Sequence, residues 1–183
     1  MSARLRLEKV VNVAIIIAVG FFIAAQVRLF VAARPPALPT SHQTYNVGDT
    51  LPALPGLRLA AGERTLLVFV SRGCHFCDES MGFYARVLAA RDRAHSRVRM
   101  IAVSRDPAAR LTEHLAQYPM TLDAVLSVPQ DVAPGLHLTP TVLLVSEGSK
   151  ILNVWVGKQN ETGERSVFSA LALDGVGRPG AVP

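Results

Sequence analysis

The chain has 183 residues, half of them hydrophobic and only 6% aromatic, with a formal charge of +5. That length supplies one ordinary domain, with residues left for an anchor and a tail. The arginines are scattered and no Lys/Arg run is interleaved with aromatics. The basic balance therefore reads as solvated surface charge, and nucleic acid is not an expected partner. The only two cysteines, Cys74 and Cys77, fall in one C-x-x-C, which excludes a disulfide scaffold. That spacing leaves three chemical readings: a redox dithiol, half of a zinc site, or haem attachment.

Residues 1–9 carry Arg4, Arg6 and Lys9 against the single acid Glu8 and read as a cytoplasmic N-terminus. Val10–Val27 holds no charge and only two strongly polar residues, Asn12 and Gln26. As a helix this stretch spans about 27 Å, close to the hydrocarbon thickness of a bilayer. With Arg28 snorkelling, the helix extends to Ala33, and Arg34-Pro35-Pro36 ends it. Residues 10–33 are thus expected to form a transmembrane anchor. A cleaved signal peptide is the alternative, with small residues at Ala24-Ala25 and Val31-Ala32-Ala33, although the apolar run is longer than a usual h-region. Three basic residues lead the segment and two, Arg28 and Arg34, trail it. This bias predicts a single-pass protein of the cytoplasmic (inner) membrane with its domain on the periplasmic, extracytoplasmic side. An oxidising compartment is where a lone C-x-x-C finds disulfides to exchange.

Residues 34–44 (RPPALPTSHQT) read as an extended linker, and 45–173 as the folded domain. Thr65–Ser71 is a short, almost wholly apolar run and predicts a buried strand. Cys74–Ala90 predicts a helix with Met81, Tyr84, Val87 and Leu88 on one side. Val98–Ser104 predicts a second strand, and Pro107–Gln117 a second helix with Pro107 in its first turn. Thr141–Val145 and Lys150–Val156, around Ser146–Ser149, predict a hairpin. Glu164–Leu173 predicts a final helix, and residues 174–183, rich in Gly and Pro, a flexible tail. The order strand–helix–strand–helix–strand–strand–helix predicts an α/β domain: a mixed sheet flanked by helices, with helices on both faces.

The C-x-x-C follows Thr65–Ser71 and opens a helix, at the carboxyl end of a strand where reaction sites in open α/β sheets lie. A helix N-terminus favours thiolate over thiol, and i, i+3 spacing brings both sulfurs to one side of the first turn. Cys74 is then the exposed nucleophile and Cys77 the resolving thiol one turn deeper. His75 stands beside the nucleophile, where a protonated imidazole makes the disulfide more oxidising; an exposed, inert histidine is the alternative. Phe76 is either a hydrophobic lip for partner docking or a packed first-turn residue. Haem attachment fails because Asp78, not histidine, follows Cys77. Zinc needs further ligands, and His42, His95, His114 and His137 are scattered. A thiol peroxidase is a further alternative, with the Ser71 hydroxyl and Arg72 or Arg105 polarising a peroxide.

These residues resemble the thioredoxin superfamily, specifically its membrane-anchored TlpA/ResA-like thiol–disulfide oxidoreductases, over roughly Val47–Leu173. Val47-Gly48-Asp49-Thr50-Leu51-Pro52 is similar to the V-G-D-x-x-P opening of that branch, and Leu66–Cys77 to its strand leading into C-x-x-C. Leu138-Thr139-Pro140-Thr141 is similar to its loop before a cis-proline strand, and Gly148 and Trp155-Val156-Gly157 to its hairpin turn and following glycine. The resemblance implies a thioredoxin-like fold in which Thr139-Pro140 is cis, lies against the cysteine pair, and binds an incoming polypeptide as an added strand. It implies disulfide exchange with protein thiols and disulfides, fed by a membrane dithiol electron donor or acceptor, with no cofactor in this chain. Three departures stand out. Gly73 replaces the usual aromatic before the first cysteine, and His75-Phe76 contains no proline. Ser80 and Gly82 stand where the branch carries a glutamate and a proline, with Glu79 one place early. A second functional class, a binding or chaperone-like module presenting the cis-proline groove without turnover, stays open on sequence.

Overall fold

The structure is a computed structural model of the chain, and it describes residues 18–23, 26 and 44–173. The expected cytoplasmic N-terminus, most of the anchor, the linker up to residue 43 and the tail from 174 lie outside the described residues. The chain divides into two compact units, Met1–Ser41 and His42–Pro183. In the first, residues 18–23 and 26 are helical and exposed. Among the described residues no helix is long and apolar enough to cross a membrane.

The second unit is built on five strands: β1 (Thr65–Phe69), β2 (Arg99–Ser104), β3 (Ala124–Ser127), β4 (Thr141–Val145) and β5 (Ile151–Val156). Their order in the sheet is β3-β2-β1-β4-β5. β1–β2 and β2–β3 run parallel, whereas β1–β4 and β4–β5 run antiparallel, so the sheet is mixed. Three helices follow the strands: α1 (His75–Arg93), α2 (Ala108–Leu115) and α3 (Glu161–Ala170). Central β1 is buried along its whole length, as its apolar run requires, with Leu66, Val68 and Val70 on one face and Leu67 and Phe69 on the other.

The expectation of helices on both faces is corrected. The buried apolar side chains of α1 (Met81, Phe83, Tyr84, Val87, Leu88), α2 (Leu111, Leu115) and α3 (Val167) all join one core, with Leu66, Val68, Val70 and Trp155. Handedness explains this. The steps β1→β2 and β2→β3 move in one direction across the sheet, so two right-handed crossovers place α1 and α2 on the same side. The opposite face is closed by irregular chain: Leu51 and Leu54 before the first strand, and Val128, Ala133 and Leu136 between β3 and β4. The Gly48–Leu51 segment is tied to the β4–β5 turn by the bonds Gly48 N–H to Ile151 O (2.8 Å), Leu51 N–H to Ser149 O (2.8 Å) and Ile151 N–H to Asp49 O (2.9 Å).

Strand β3 is absent from the sequence expectation. It is four residues long and only partly buried, an edge strand whose alternation is too short to register. Helix α2 begins after Pro107, whose carbonyl accepts the Leu111 N–H (3.1 Å), so the proline caps rather than enters the helix. Helix α3 starts earlier than expected because Asn160 caps it, its Oδ1 accepting the Gly163 N–H (2.9 Å), with Glu161 and Glu164 in the favourable first turn.

Candidate active site

The turn after β1 determines where the cysteines stand. Val70 N–H still pairs with Val103 O (3.0 Å), and the chain then turns through Gly73 at φ +73°. That left-handed conformation strains any residue with a β-carbon, which gives a physical reason for glycine here rather than an aromatic. Cys74 follows in extended conformation as the N-cap of α1. Its carbonyl accepts from Cys77 N–H (2.9 Å) and Asp78 N–H (3.1 Å), and its sulfur lies 3.2 Å from the Cys77 nitrogen. The two cysteines are joined by a disulfide, their Cα atoms 5.2 Å apart. Cys74 is half-buried, whereas Cys77 has no exposed surface and belongs to the helical-face core with Met81, Tyr84 and Trp155. Of the two cysteines only Cys74 therefore offers surface to solvent. On reduction, the free N–H groups of the first turn favour a thiolate at Cys74.

The residues between the cysteines face outward. His75 is 78% exposed, with Nε2 3.2 Å from Glu79 Oε1. Phe76 is 57% exposed and so is not a packed first-turn residue. Glu79 also accepts from Lys158 Nζ (2.9 Å), and this hydrogen bond above all holds its carboxyl below the ordinary value. The early glutamate is thus a surface residue. Ser80, where the branch resembled in sequence carries a glutamate, is buried and its hydroxyl donates to its own helix, at Phe76 O (2.7 Å).

The acid nearest the pair in sequence is Asp78, and its partners come from beyond α1. Asp78 Oδ1 accepts from Tyr118 O–H (3.1 Å) and lies 2.9 Å from His114 Nε2. The other imidazole nitrogen lies 3.0 Å from Gln117 Nε2. Burial first, and then the Asp78 carboxylate, push the Tyr118 phenol up from its usual value. Sequence reading missed this cluster and treated His114 as one of several scattered histidines. No local pattern signals it: Tyr118 lies beyond the end of α2, and the partner it shares with His114 is more than thirty positions away on α1.

The Thr139-Pro140 peptide is cis. Pairing of Phe69 with Thr141 between β1 and β4 carries on to Ser71 and Thr139, whose hydroxyl oxygens lie 3.3 Å apart. The cis-proline loop and the turn into Cys74 thus stand side by side at one end of neighbouring strands. Pro140 O accepts from Gly157 N–H (2.7 Å) and Leu138 O from the Thr141 hydroxyl (2.8 Å), while Leu138 itself is exposed beside them. The hydroxyl and one arginine that a peroxide site needs are engaged elsewhere. Ser71 faces Thr139, and Arg105 donates to Leu136 O (2.6 Å) with its guanidinium over the Phe69 ring. Among the described residues no group of three or more His, Cys, Asp or Glu side chains could hold a metal ion.

No protein-family model matches the chain, and no curated protein sequence does. Its fold is similar to solved structures of thioredoxin-like proteins. One, from Chlorobium tepidum, is described as a thiol:disulfide interchange protein DsbE; it is 25% identical with a TM-score of 0.56, covering 70% of this chain and 99% of that one. A protein from Bacteroides thetaiotaomicron described as a protein disulfide isomerase is 17% identical with a TM-score of 0.55, covering 70% and 89%. A protein from Neisseria meningitidis described as a thioredoxin is 20% identical with a TM-score of 0.51, covering 68% and 87%. The structural neighbours are thus thioredoxin-like thiol:disulfide interchange proteins, and the fold here is a thioredoxin-like α/β fold carrying a C-x-x-C disulfide.

Proposed function

We propose that this thioredoxin-fold chain is a thiol–disulfide oxidoreductase that reduces disulfides of extracytoplasmic polypeptides, held at the outer face of the cytoplasmic membrane by residues 10–33. The observation that carries the reading is the asymmetry of the pair: a disulfide joins a half-buried cysteine at a helix cap to a fully buried one in the first turn. In the reduced protein, the Cys74 thiolate attacks one sulfur of the partner's disulfide. A mixed disulfide forms, and the partner's other sulfur leaves as a thiolate and takes a proton. The Cys77 thiol then loses its proton and attacks Cys74 Sγ. The Cys74–Cys77 bond closes and the partner leaves as a dithiol, having gained two electrons. A membrane dithiol carrier returns two electrons to the pair. Exposed Phe76, two residues after Cys74, and exposed Leu138, next to the cis-proline loop, supply apolar contact for the partner, and the Thr139-Pro140 loop supplies the edge along which its backbone lies.

The apolar, uncharged stretch Val10–Val27 behind a basic N-terminus supports the membrane placement. Alkaline extraction of membranes tests it: the full-length chain is expected to stay with the pellet, and complete release into the supernatant would remove the anchor. For the chemistry, Cys77→Ser is expected to accumulate covalent complexes with protein partners that dithiothreitol releases. Cys74→Ser is expected to form none and to lose insulin reduction. Equal insulin reduction by wild type and Cys74→Ser would leave only a non-covalent binding module.

A further inference from the structure

Next to Cys74 in the chain, a cleft of about 680 Å³ opens between the turn before Cys74 and helix α2. It is lined by Arg72, Gly73, Asp106, Arg110, Glu113 and His114. Most of its polar groups are already engaged. Asp106 Oδ2 accepts the Arg72 N–H (2.8 Å) and the Ser104 hydroxyl (3.1 Å), which ties the turn to the end of β2. His114 is held through both ring nitrogens, by Asp78 and Gln117. The guanidiniums of Arg72 and Arg110 are different. Both residues are exposed, and among the described residues neither side chain has a hydrogen-bond or ion-pair partner. Two forked cations with free donors thus face one cleft, the first only two positions from the attacking sulfur.

We propose that this cleft is a specificity subsite that takes one carboxylate of the polypeptide substrate, an Asp or Glu side chain next to the cysteine under attack. The inference rests on the exchange reading above and names the substrate class of that same site. Guanidinium is the group whose fixed fork of donors matches a carboxylate, and charge-assisted bonds of this kind are the strong ones. The subsite accepts a single acid. Glu113, one turn beyond Arg110 on α2, and Asp106 line the same cleft and put like charges there that repel a second carboxylate. The step is the one already described: the Cys74 thiolate forms a bond to the substrate sulfur, the substrate's S–S bond breaks, and the leaving sulfur departs as a thiolate that takes a proton from water. The carboxylate stays unchanged throughout and orients the peptide.

The test uses the reduced full-length chain and peptides joined by a disulfide to 2-thiopyridine, whose release as the neutral thione is followed by absorbance. The peptides differ only beside their cysteine: Glu, Gln or Glu-Glu. The Glu peptide is expected to react about tenfold faster than the Gln peptide, and the Glu-Glu peptide no faster than Glu. Arg72→Gln and Arg110→Gln should each reduce the ratio of the Glu-peptide rate to the Gln-peptide rate, and together bring it to one. Glu113→Gln should enlarge it for Glu-Glu. Arg97→Gln removes the same charge from an exposed position ahead of β2 and should change nothing. Equal rates for Glu and Gln peptides in wild type would overturn the subsite. So would loss of the advantage in Arg97→Gln, which would make it a general field effect. So would an arginine-dependent gain for the glutathione–thiopyridine disulfide alone, which would assign the cleft to a small thiol. Failure of the exchange reading looks different: the Gln peptide would then react no faster with wild type than with Cys74→Ser.

Discussion

One face of the sheet is closed by three regular helices and the other by chain without regular structure, and the site draws on both. The helical face buries Cys77 among Met81, Tyr84 and Trp155, and it presents Cys74 at the cap of α1. The irregular face is closed by Leu51, Leu54, Val128, Ala133 and Leu136, and the segment from Leu136 leads directly into exposed Leu138 and the cis Thr139-Pro140 loop. The reactive sulfurs therefore come from the part of the molecule held by helix periodicity, and the surface that a partner touches comes from a loop held by a few buried side chains. Chemistry and recognition are carried by different faces, and substitutions on the two faces should separate them.

The largest effects come from the two cores. Met81→Ala and Leu136→Ala each remove a fully buried side chain and are expected to cost about 2–5 kcal/mol, read from denaturant unfolding. Their functional consequences should differ. Met81 lies one turn from Cys77, so its loss should shift the reduction potential measured against glutathione. Leu136 lies two residues before Leu138 and its buried side chain helps to close the irregular face there, so its loss should slow exchange with polypeptide disulfides and leave the potential unchanged. The same pattern for both variants would end the division between the faces.

A smaller effect separates them by pH. Tyr84 belongs to the helical core, and burial pushes its phenol far above the ordinary value, against a partial lowering by the Ser80 hydroxyl. A group that holds its proton more tightly folded than unfolded contributes stability that is complete below its unfolded value near 10 and is lost as pH rises beyond it. Between about pH 10 and 12, wild type is expected to lose stability more steeply than Tyr84→Phe, by up to about 1.4 kcal/mol per pH unit. Parallel unfolding curves for the two proteins across that range would show that the ring hydroxyl is not sealed in the core. Gly73→Ala should cost about 1–2 kcal/mol, from the left-handed backbone alone, since nothing lies within 4 Å of the added β-carbon. Gly73→Asn, which tolerates that conformation better, should recover part of the loss.

The helical face was largely legible in the sequence. The spacing of Met81, Tyr84, Val87 and Leu88 and the apolar run at β1 each bury what their periodicity requires. The position of Cys74 at a strand-to-helix junction followed from the same patterns. The irregular face was not legible, because Leu51, Leu54, Val128, Ala133 and Leu136 form no period and acquire a common purpose only when the sheet is in place. The error about helices on both faces has a topological cause: α2 was seen, but strand β3, which turns it into a second right-handed crossover, was too short to read. The Asp78–His114–Tyr118 cluster and the Arg72–Arg110 cleft join residues more than thirty positions apart, and no local pattern signals either.

The smallest effect belongs to the rim between the two faces. His75 adjoins the attacking cysteine, yet it is 78% exposed and shares Glu79 with Lys158, so whatever charge it carries is both hydrated and locally neutralised. His75→Ala is therefore expected to make the pair slightly more reducing, by less than about 30 mV, and the difference should shrink between low salt and half-molar salt. Phe76→Ala should leave the potential alone and slow reaction with polypeptide disulfides but not with small ones, because its ring offers contact area and no charge. Both are measured by equilibration against glutathione buffers and by rates with a protein and a small disulfide. A salt-insensitive shift well above 30 mV in His75→Ala would mean that this imidazole acts on the sulfur from within the protein's low dielectric, and the rim would then belong to the chemistry of the helical face.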